Sequence, residues 1–313
     1  MNKIYPLVSI VTPTYNQAEY LAETIESVLA QDYPNIEYIV LDDGSTDHTR
    51  DVLKKYDGRL HWESQENMGQ AKTLNKGWEI GSGFYIGYLS SDDILYPGAI
   101  SKLVNILESN SDVSVVYPNC HLINPRSQII KKNVSRKFDF ESLVIRQECY
   151  IGPGALFRKD LFNKVGGWRS DLKLAPDREF WMRVGMYGHF EMIDEPLAGY
   201  RMHPKSISYY EKRPEIAQEY LAVLDDFFSK KDISTNILSR KNEAYSNALL
   251  IVARSHFRSN DFRGGIKKYR EAIAIYPENK SVKTIISLIR TSISKPVRRL
   301  LWIFQLLRMK AKI

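Results

Sequence analysis

The sequence predicts an α/β chain: an open, mostly parallel twisted sheet with helices on both faces, followed by an all-helical appendage. Three observations predict it. Short apolar runs rich in β-branched residues alternate with stretches of helical periodicity through the first part of the chain. A polar, turn-forming loop follows each of the first three runs, and beyond about residue 210 only helical patterns remain. Alternating strands and helices imply parallel pairing through helical crossovers. The division read from this is 1–210 for the α/β domain and 211–313 for the helical region.

Leu7 to Val11 is short, apolar and β-branched, the pattern of a buried strand. Pro13 and Tyr15 break it, and Asn16 with Glu19 three residues later predicts a capping box. The helix that follows places Tyr20, Leu21, Ile25, Val28 and Leu29 on one face, and Pro34 stops it. Ile36 to Leu41 is a second strand and runs into DDGSTD, where Asp42 and Asp43 meet Gly44 and a series of cap-forming residues. A further helix closes at Trp78. Phe84 to Leu89 is the next strand, leading into YLSSDDIL with its adjacent acids Asp92 and Asp93. Ile100, Leu103, Val104 and Leu107 then mark an amphipathic helix before the strand Val113 to Val116. Sheets of this kind bind ligands beyond the carboxyl ends of their strands. Pro13 to Tyr15, Asp42 with Asp43, and Ser90 to Asp93 all follow strands, so three polar loops are expected along one edge.

In the helical region Leu249, Val252, Ala253, Gly265, Tyr269, Ala272 and Pro277 match the small and large positions of one tetratricopeptide-like hairpin. A single repeat cannot bury its own face, so an ordinary docked hairpin is favoured over a peptide-binding array.

At 313 residues the chain is long enough to bury a substantial core. Cys120 and Cys149 are too few for a disulfide framework and lack metal-ligand spacing, so two buried free thiols in a reducing cytosol are expected. The first residues carry no signal-peptide core, and the longest apolar run, LLWIFQLL, falls short of a membrane span. A cytoplasmic protein, peripheral at the inner face of the cell membrane, is the expectation. The net charge of +7 is unevenly distributed: Lys295, Arg298, Arg299, Arg308, Lys310 and Lys312 lie in a tail without an acid. Their mixture with Leu300, Leu301, Trp302, Ile303 and Phe304 favours an anionic membrane surface over nucleic acid.

The stretch VSIVTPTYNQAEYLAETIESVLAQDYPNIEYIVLDDGSTDHT, followed by NMGQAKTLNKGWEIGSGFYIGYLSSDDIL, resembles the nucleotide-sugar domain of the family 2 glycosyltransferases, which have the GT-A fold. The likeness covers roughly the first two thirds of the chain. It implies that Pro13, Thr14 and Tyr15 line a nucleotide pocket and that Asp43 hydrogen-bonds the base. A carboxylate accepts the imide N–H of uracil, and Tyr15 suits a ring or ribose. Turn and helix capping is the other reading of this loop; the division favoured is Asp43 on the nucleotide and Ser45 or Asp47 on the helix.

Where the family carries an Asp-x-Asp motif for a divalent cation, this chain reads Ser90-Ser91-Asp92. The resemblance therefore places Asp92 on the cation, Mn²⁺ or Mg²⁺, with Ser91 beside it, and leaves Asp93 to order the loop. GPGALFR (152–158) and Gly166-Gly167-Trp168 resemble the acceptor-side strand and loop. LAPDREFWMRV puts Asp177 on the catalytic base, with Glu179 as a weaker acceptor contact. An N-cap role for Asp177 remains compatible, since Phe180, Trp181 and Val184 suggest that a helix starts there. GYRMHPKSIS (199–208) resembles the segment closing over the diphosphate. His203 is placed on the metal or a phosphate there, and Arg201 or Lys205 neutralises charge; a structural histidine stands at even weight. Lys72 is assigned the phosphate charge that an arginine supplies in the family at the position of Leu74, though a solvated surface lysine is its ordinary reading.

The function implied is inverting transfer of a sugar from a nucleoside-diphosphate sugar, UDP favoured, to a polysaccharide or lipid-linked glycan. Ser90, Leu74 and Pro176, which replaces the usual glutamate before the base, depart from the pattern. They sustain an alternative, a decayed transferase domain that binds a partner or glycan. A nucleotidyltransferase is disfavoured because PTYNQAEYL has neither glycine nor a basic residue, and a glycosidase because no facing acid pair is evident.

Overall fold

The computed structural model describes residues 5–206 and 213–292. Residues 207 and 208 of the closing segment and the whole basic tail, 295–313, lie outside them. The chain forms two compact units: Met1–Phe140 with Cys149–Lys205, and Glu141–Glu148 with Ser206–Ile313.

The first unit begins β1 (Val8–Thr14), α1 (Leu21–Leu29), β2 (Ile36–Asp42), α2 (Thr49–Lys54), β3 (His61–Ser64), α3 (Gln70–Ile80) and β4 (Tyr85–Tyr88). It continues with β5 (Ile94–Leu95), α4 (Ala99–Ser109), β6 (Val113–Ile123) and β7 (Ile129–Lys131). After α5 (Phe140–Ile145) come β8 (Leu156–Arg158), α6 (Lys159–Val165), α7 (Pro176–Gly185) and β9 (His189–Arg201). Among the described residues these strands form one sheet in the order β3-β2-β1-β4-β8-β6-β9-β5, with β7 paired to β6. β1 is central, and all seven of its residues are buried. It runs parallel to β2, with Val8 opposite Ile36 and Thr14 opposite Asp42. On its other side it runs parallel to β4, with Val11 opposite Tyr88. Both faces are covered, as a strand apolar on both sides requires. Val8 and Ile10 join the cluster of Leu21, Ile25, Ile100 and Leu103 beneath α1 and α4. Val11 meets α3, whose Gly77 allows the approach: a Cβ there would lie 2.3 Å from Val11 Cγ1. That second face is filled by aromatics, Trp78 stacking on Phe180 at 5.4 Å and meeting Phe157 edge-on at 5.4 Å.

Several local expectations give way, the first being the break at Pro13, through which β1 runs on to Thr14. Asn16 does not cap α1: it adopts φ 53°, the first turn of α1 has no side-chain cap, and Asn16 Oδ1 instead accepts the backbone N–H of Thr46 at 2.8 Å. The long-range bond satisfies the DDGSTD loop rather than the helix. The strand expected from Phe84 starts one residue later, with Phe84 exposed, while the strand expected over Val113 to Val116 runs on to Ile123. β9 was not foreseen as a strand: HFEMIDEPLAGYR mixes charges with apolar residues, and its pairing with β6 shifts register three times.

The second unit holds α8 (Pro214–Ala217), α9 (Glu219–Ser229), α10 (Thr235–Ser239), α11 (Lys241–Arg258), α12 (Phe262–Ile275), a 3-10 turn at Pro277–Asn279, and α13 (Val282–Ser292). α11 and α12 form a hairpin over buried Leu249, Val252, Ala253 and Ala272. Gly265 lets α12 close on Phe257, where a Cβ would lie 2.6 Å from the ring. The segment Glu141–Glu148 belongs to this unit, tied by Asn247 Nδ2 to the Ile145 carbonyl at 2.8 Å and by Arg240 to Glu141 at 2.7 Å. No helix among the described residues is long and apolar enough to cross a membrane.

Candidate active site

The ends of β2, β1 and β4 lie side by side, so the three polar loops leave the sheet from adjacent strands. At the end of β1, Pro13 and Thr14 are buried and Tyr15 is 47% exposed. The Thr14 carbonyl accepts Asp43 N at 2.8 Å, while its buried hydroxyl has no partner among the described residues. Asp42 and Asp43 have different environments. Asp42 Oδ1 accepts Ser45 N at 3.0 Å, and Oδ2 accepts Ser64 Oγ at 2.6 Å and Arg50 Nε at 3.1 Å. Burial works to raise its pKa, but these bonds prevail and hold it below the ordinary carboxylate range. Asp43 draws the next loop toward it: its two oxygens accept Met68 N at 2.8 Å and Gly69 N at 2.9 Å. The bond to the base expected for Asp43 must therefore be shared with this loop. Asp47 accepts Thr49 N at the start of α2 at 2.9 Å and Ala18 N at 3.2 Å. Lys72 is exposed in the first turns of α3.

Two adjacent acids follow β4, and their surroundings separate them. Asp93 is buried and accepts Arg201 N at 2.8 Å. Burial and the neighbouring Asp92 charge push its carboxyl well above the usual range. Asp92 is more open: its Oδ2 lies 2.8 Å from His203 Nε2, with the side chains 16% and 1% exposed. Ser91 is buried. The His203 ring also packs on Tyr20 at 4.7 Å. Residues 111 apart in sequence thus meet because β9 returns beside β5 and carries His203 to the mouth of β4.

Arg201 corrects its expectation. Its side chain is fully buried, and all three guanidinium nitrogens are bonded within the protein: Nε to the Asp92 carbonyl at 2.6 Å, one terminal nitrogen to Ser127 Oγ at 2.9 Å, the other to Glu23 at 2.7 Å. It holds the acidic loop and has no face left for a diphosphate. Glu179 is corrected likewise: it is buried and bonded by both oxygens to Arg183, at 2.6 and 2.8 Å, whose other donors reach the carbonyls of Val165, Gly166 and Gly167. The pair supports the Gly166-Gly167-Trp168 loop instead of an acceptor.

Asp177 is not the N-cap of α7. Ala175 occupies that position, and Asp177 stands in the first turn, half-buried. Burial raises its pKa, only partly offset by the Arg178 charge and by the N–H groups of Arg178 and Asp177. Its charge acts on Tyr88, whose hydroxyl is pushed well up by burial first, then by Asp177, Cys149 and Asp93. Cys149, half-buried, is pushed up to about 11 by burial and by Asp177. Asn75 on α3 clasps the Trp168 backbone, donating to its carbonyl at 2.8 Å and accepting its N–H at 2.7 Å.

Sequence reasoning missed Glu23, Arg183 and the bridging role of Asn16. Glu23 is a first-turn acid like any other, and nothing local distinguishes it. Among the described residues no cluster of three or more His, Cys, Asp or Glu forms, so Asp92 and His203 stand as a pair.

This arrangement can be set beside known proteins. The sequence model described as "Glycosyl transferase family 2" matches residues 9–166, half of the chain. The chain belongs to glycosyl transferase family 2. An uncharacterized glycosyltransferase of Rickettsia typhi is 30% identical over 88% of this chain and 86% of its own. Chondroitin synthase of Escherichia coli is 27% identical over 74% of this chain but only 34% of its own. The putative teichuronic acid biosynthesis glycosyltransferase TuaG of Bacillus subtilis is 47% identical over 34% of this chain and 44% of its own. Residues 1–349 of S. aureus TarS, solved with UDP-GlcNAc, superpose with a TM-score of 0.57 at 18% identity, covering 88% of this chain and 93% of that one. The mannosyltransferase PcManGT of Pyrobaculum calidifontis, solved with GDP-Man and Mn²⁺, gives 0.58 at 20% identity over 95% and 83%. At these identities the likeness establishes the GT-A-like fold of this glycosyltransferase.

Proposed function

We propose that this glycosyltransferase moves a sugar from a nucleoside-diphosphate sugar, UDP favoured, to a polysaccharide or lipid-linked glycan, with inversion. The observation that carries the reading is the Asp92–His203 pair, 2.8 Å apart in the loop after β4, with Asp177 half-buried in the first turn of α7. One carboxylate oxygen and one imidazole nitrogen fit Mn²⁺ or Mg²⁺, which take few protein donors when substrate phosphates and water complete the shell. When bound, the cation supplies Lewis-acid charge to the leaving diphosphate. Asp177 takes the proton of the acceptor hydroxyl as that oxygen forms its bond to the anomeric carbon and the bond to the diphosphate breaks. The raised pKa of Asp177 suits a base that must hold this proton.

Asp43 Oδ1 accepts both Met68 N and Gln65 Nε2, so Oδ2, which accepts Gly69 N, is the oxygen offered to the uracil imide; Tyr15 offers an exposed ring, and the Thr14 hydroxyl has no competing partner among the described residues. Pro13, buried at the end of β1, is assigned to the same nucleotide pocket, and Ser91 and Lys72 to the phosphates. The two named relatives in chondroitin and teichuronic acid synthesis support a polysaccharide acceptor. The basic, aromatic tail at 295–313 is assigned to anionic lipid at the cytoplasmic membrane face.

The test is thermal stabilisation of the full chain by UDP, GDP, dTDP and CMP with and without Mn²⁺. Stabilisation by UDP that grows with Mn²⁺ and is lost in Asp92→Ala is the expected result. Stabilisation by none of them transfers support to the partner-binding alternative.

A further inference from the structure

Arg201 is a fully buried cation bonded to the loop that carries Asp92. Its backbone N–H fixes Asp93, its Nε fixes the carbonyl of Asp92, and two residues later the same chain presents His203. The far side of the guanidinium is held by Glu23 on α1 at 2.7 Å, and Ser127 bonds both the Glu23 carboxylate at 2.5 Å and Arg201 at 2.9 Å. α1 grips the acidic loop twice more: Thr24 Oγ1 donates to the Asp93 carbonyl at 2.8 Å, and Ser27 Oγ accepts Leu95 N at 3.1 Å.

We propose that Glu23 and Arg201 are positioning residues that set the separation and aim of Asp92 and His203. The proposal rests on the reading of that pair as cation ligands. Arg201 reaches Asp92 through its backbone and takes neither carboxylate oxygen, one of which meets His203. Without its carboxylate partner the buried guanidinium is left to the acceptors that remain, the Asp92 carbonyl at 2.6 Å on one side and, after β6, the Asn124 carbonyl at 3.2 Å and Ser127 Oγ at 2.9 Å on the other, and any shift between them moves the loop that carries Asp92. The Glu23 side chain is 45% exposed, so its replacement disturbs this alignment with little loss of packing.

The experiment titrates Mn²⁺ calorimetrically into the full-length protein saturated with UDP, and in parallel with GDP, for wild type, Glu23→Gln, Glu23→Asp and Asp92→Asn. The ligand-free Tm of each is measured alongside. Glu23→Gln is expected to weaken Mn²⁺ binding by on the order of tenfold, as outer-shell partners do. Its ligand-free Tm should move by no more than about 2 °C. Glu23→Asp, which retains the charge, should restore most of the affinity. A wild-type titration for Glu23→Gln beside a lost one for Asp92→Asn overturns the positioning role and leaves the cation site standing. Weakening that tracks a comparable fall in ligand-free Tm, or that Glu23→Asp does not relieve, reduces Glu23 to a purely structural part. No Mn²⁺ binding by wild type with either nucleotide, or an unaltered Asp92→Asn titration, overturns the cation reading and the positioning role with it.

Discussion

Replacing Asp177 by asparagine separates its chemical role from its structural one. The carboxylate stands in the first turn of α7 and accepts backbone N–H groups there, and an asparagine Oδ1 accepts the same bonds. What the variant loses is the capacity to take a proton, and a positioned general base contributes about 10²–10⁴-fold, or ~3–5 kcal/mol of barrier. Burial raises the folded-state pKa of Asp177, so the folded protein holds this proton more tightly than the unfolded chain. Stability therefore falls as pH rises through that interval, and Asp177→Asn, which never ionises, should be at least as stable as wild type at neutral pH. The assay follows nucleoside diphosphate released from UDP- and GDP-sugars with Mn²⁺ and a glycan acceptor. Wild-type activity should rise with pH along an acid limb displaced above the ordinary value of 3.8 for an aspartate. Undiminished turnover in a folded Asp177→Asn protein refutes the assignment, whatever its pH profile.

Further outcomes test other parts of the molecule. Asn75→Ala removes both bonds to the Trp168 backbone and should cost about 2 kcal/mol, lowering Tm by roughly 5 °C in a calorimetric scan. Gly167→Ala should act in the same direction, because a Cβ there would lie 2.2 Å from Asn75 Oδ1. The hydrogen bonds to Asp42 depress its folded-state pKa, so its contribution is complete above the unfolded value of 3.8 and is lost as pH falls through the lower folded one. Asp42→Asn should destabilise at neutral pH and weaken the dependence of Tm on pH in the acid range. Deleting 295–313 should release the protein from phosphatidylserine vesicles while sparing nucleotide binding; equal sedimentation with and without the tail would defeat the lipid assignment.

The sequence by itself determined the alternation of strand and helix and the three polar loops along one edge, because these depend on local patterns. A run such as LVSIV is apolar enough to mark a buried strand, although that strand runs on through Pro13 to Thr14, where the sequence predicts a break, and DDGSTD and SSDD are turn-forming loops that follow strands. The ordered motifs that identify the family are local in the same sense. What became of each polar side chain was decided by tertiary structure. Arg201 reads as a phosphate ligand in GYRMHPKSIS, yet the register of β9 against β6 and β5 turns it inward to Glu23 and the Asp92 carbonyl. Glu179 reads as an acceptor contact until Arg183, one turn later on the same helix, takes both its oxygens. Asn16 reads as a cap until the loop after β2 supplies N–H groups closer than those of its own helix. In each case the deciding partner lies one turn or far more away along the chain, and a buried charge or amide goes to whichever partner the fold brings within 3 Å, because leaving it unbonded costs more than any local preference returns.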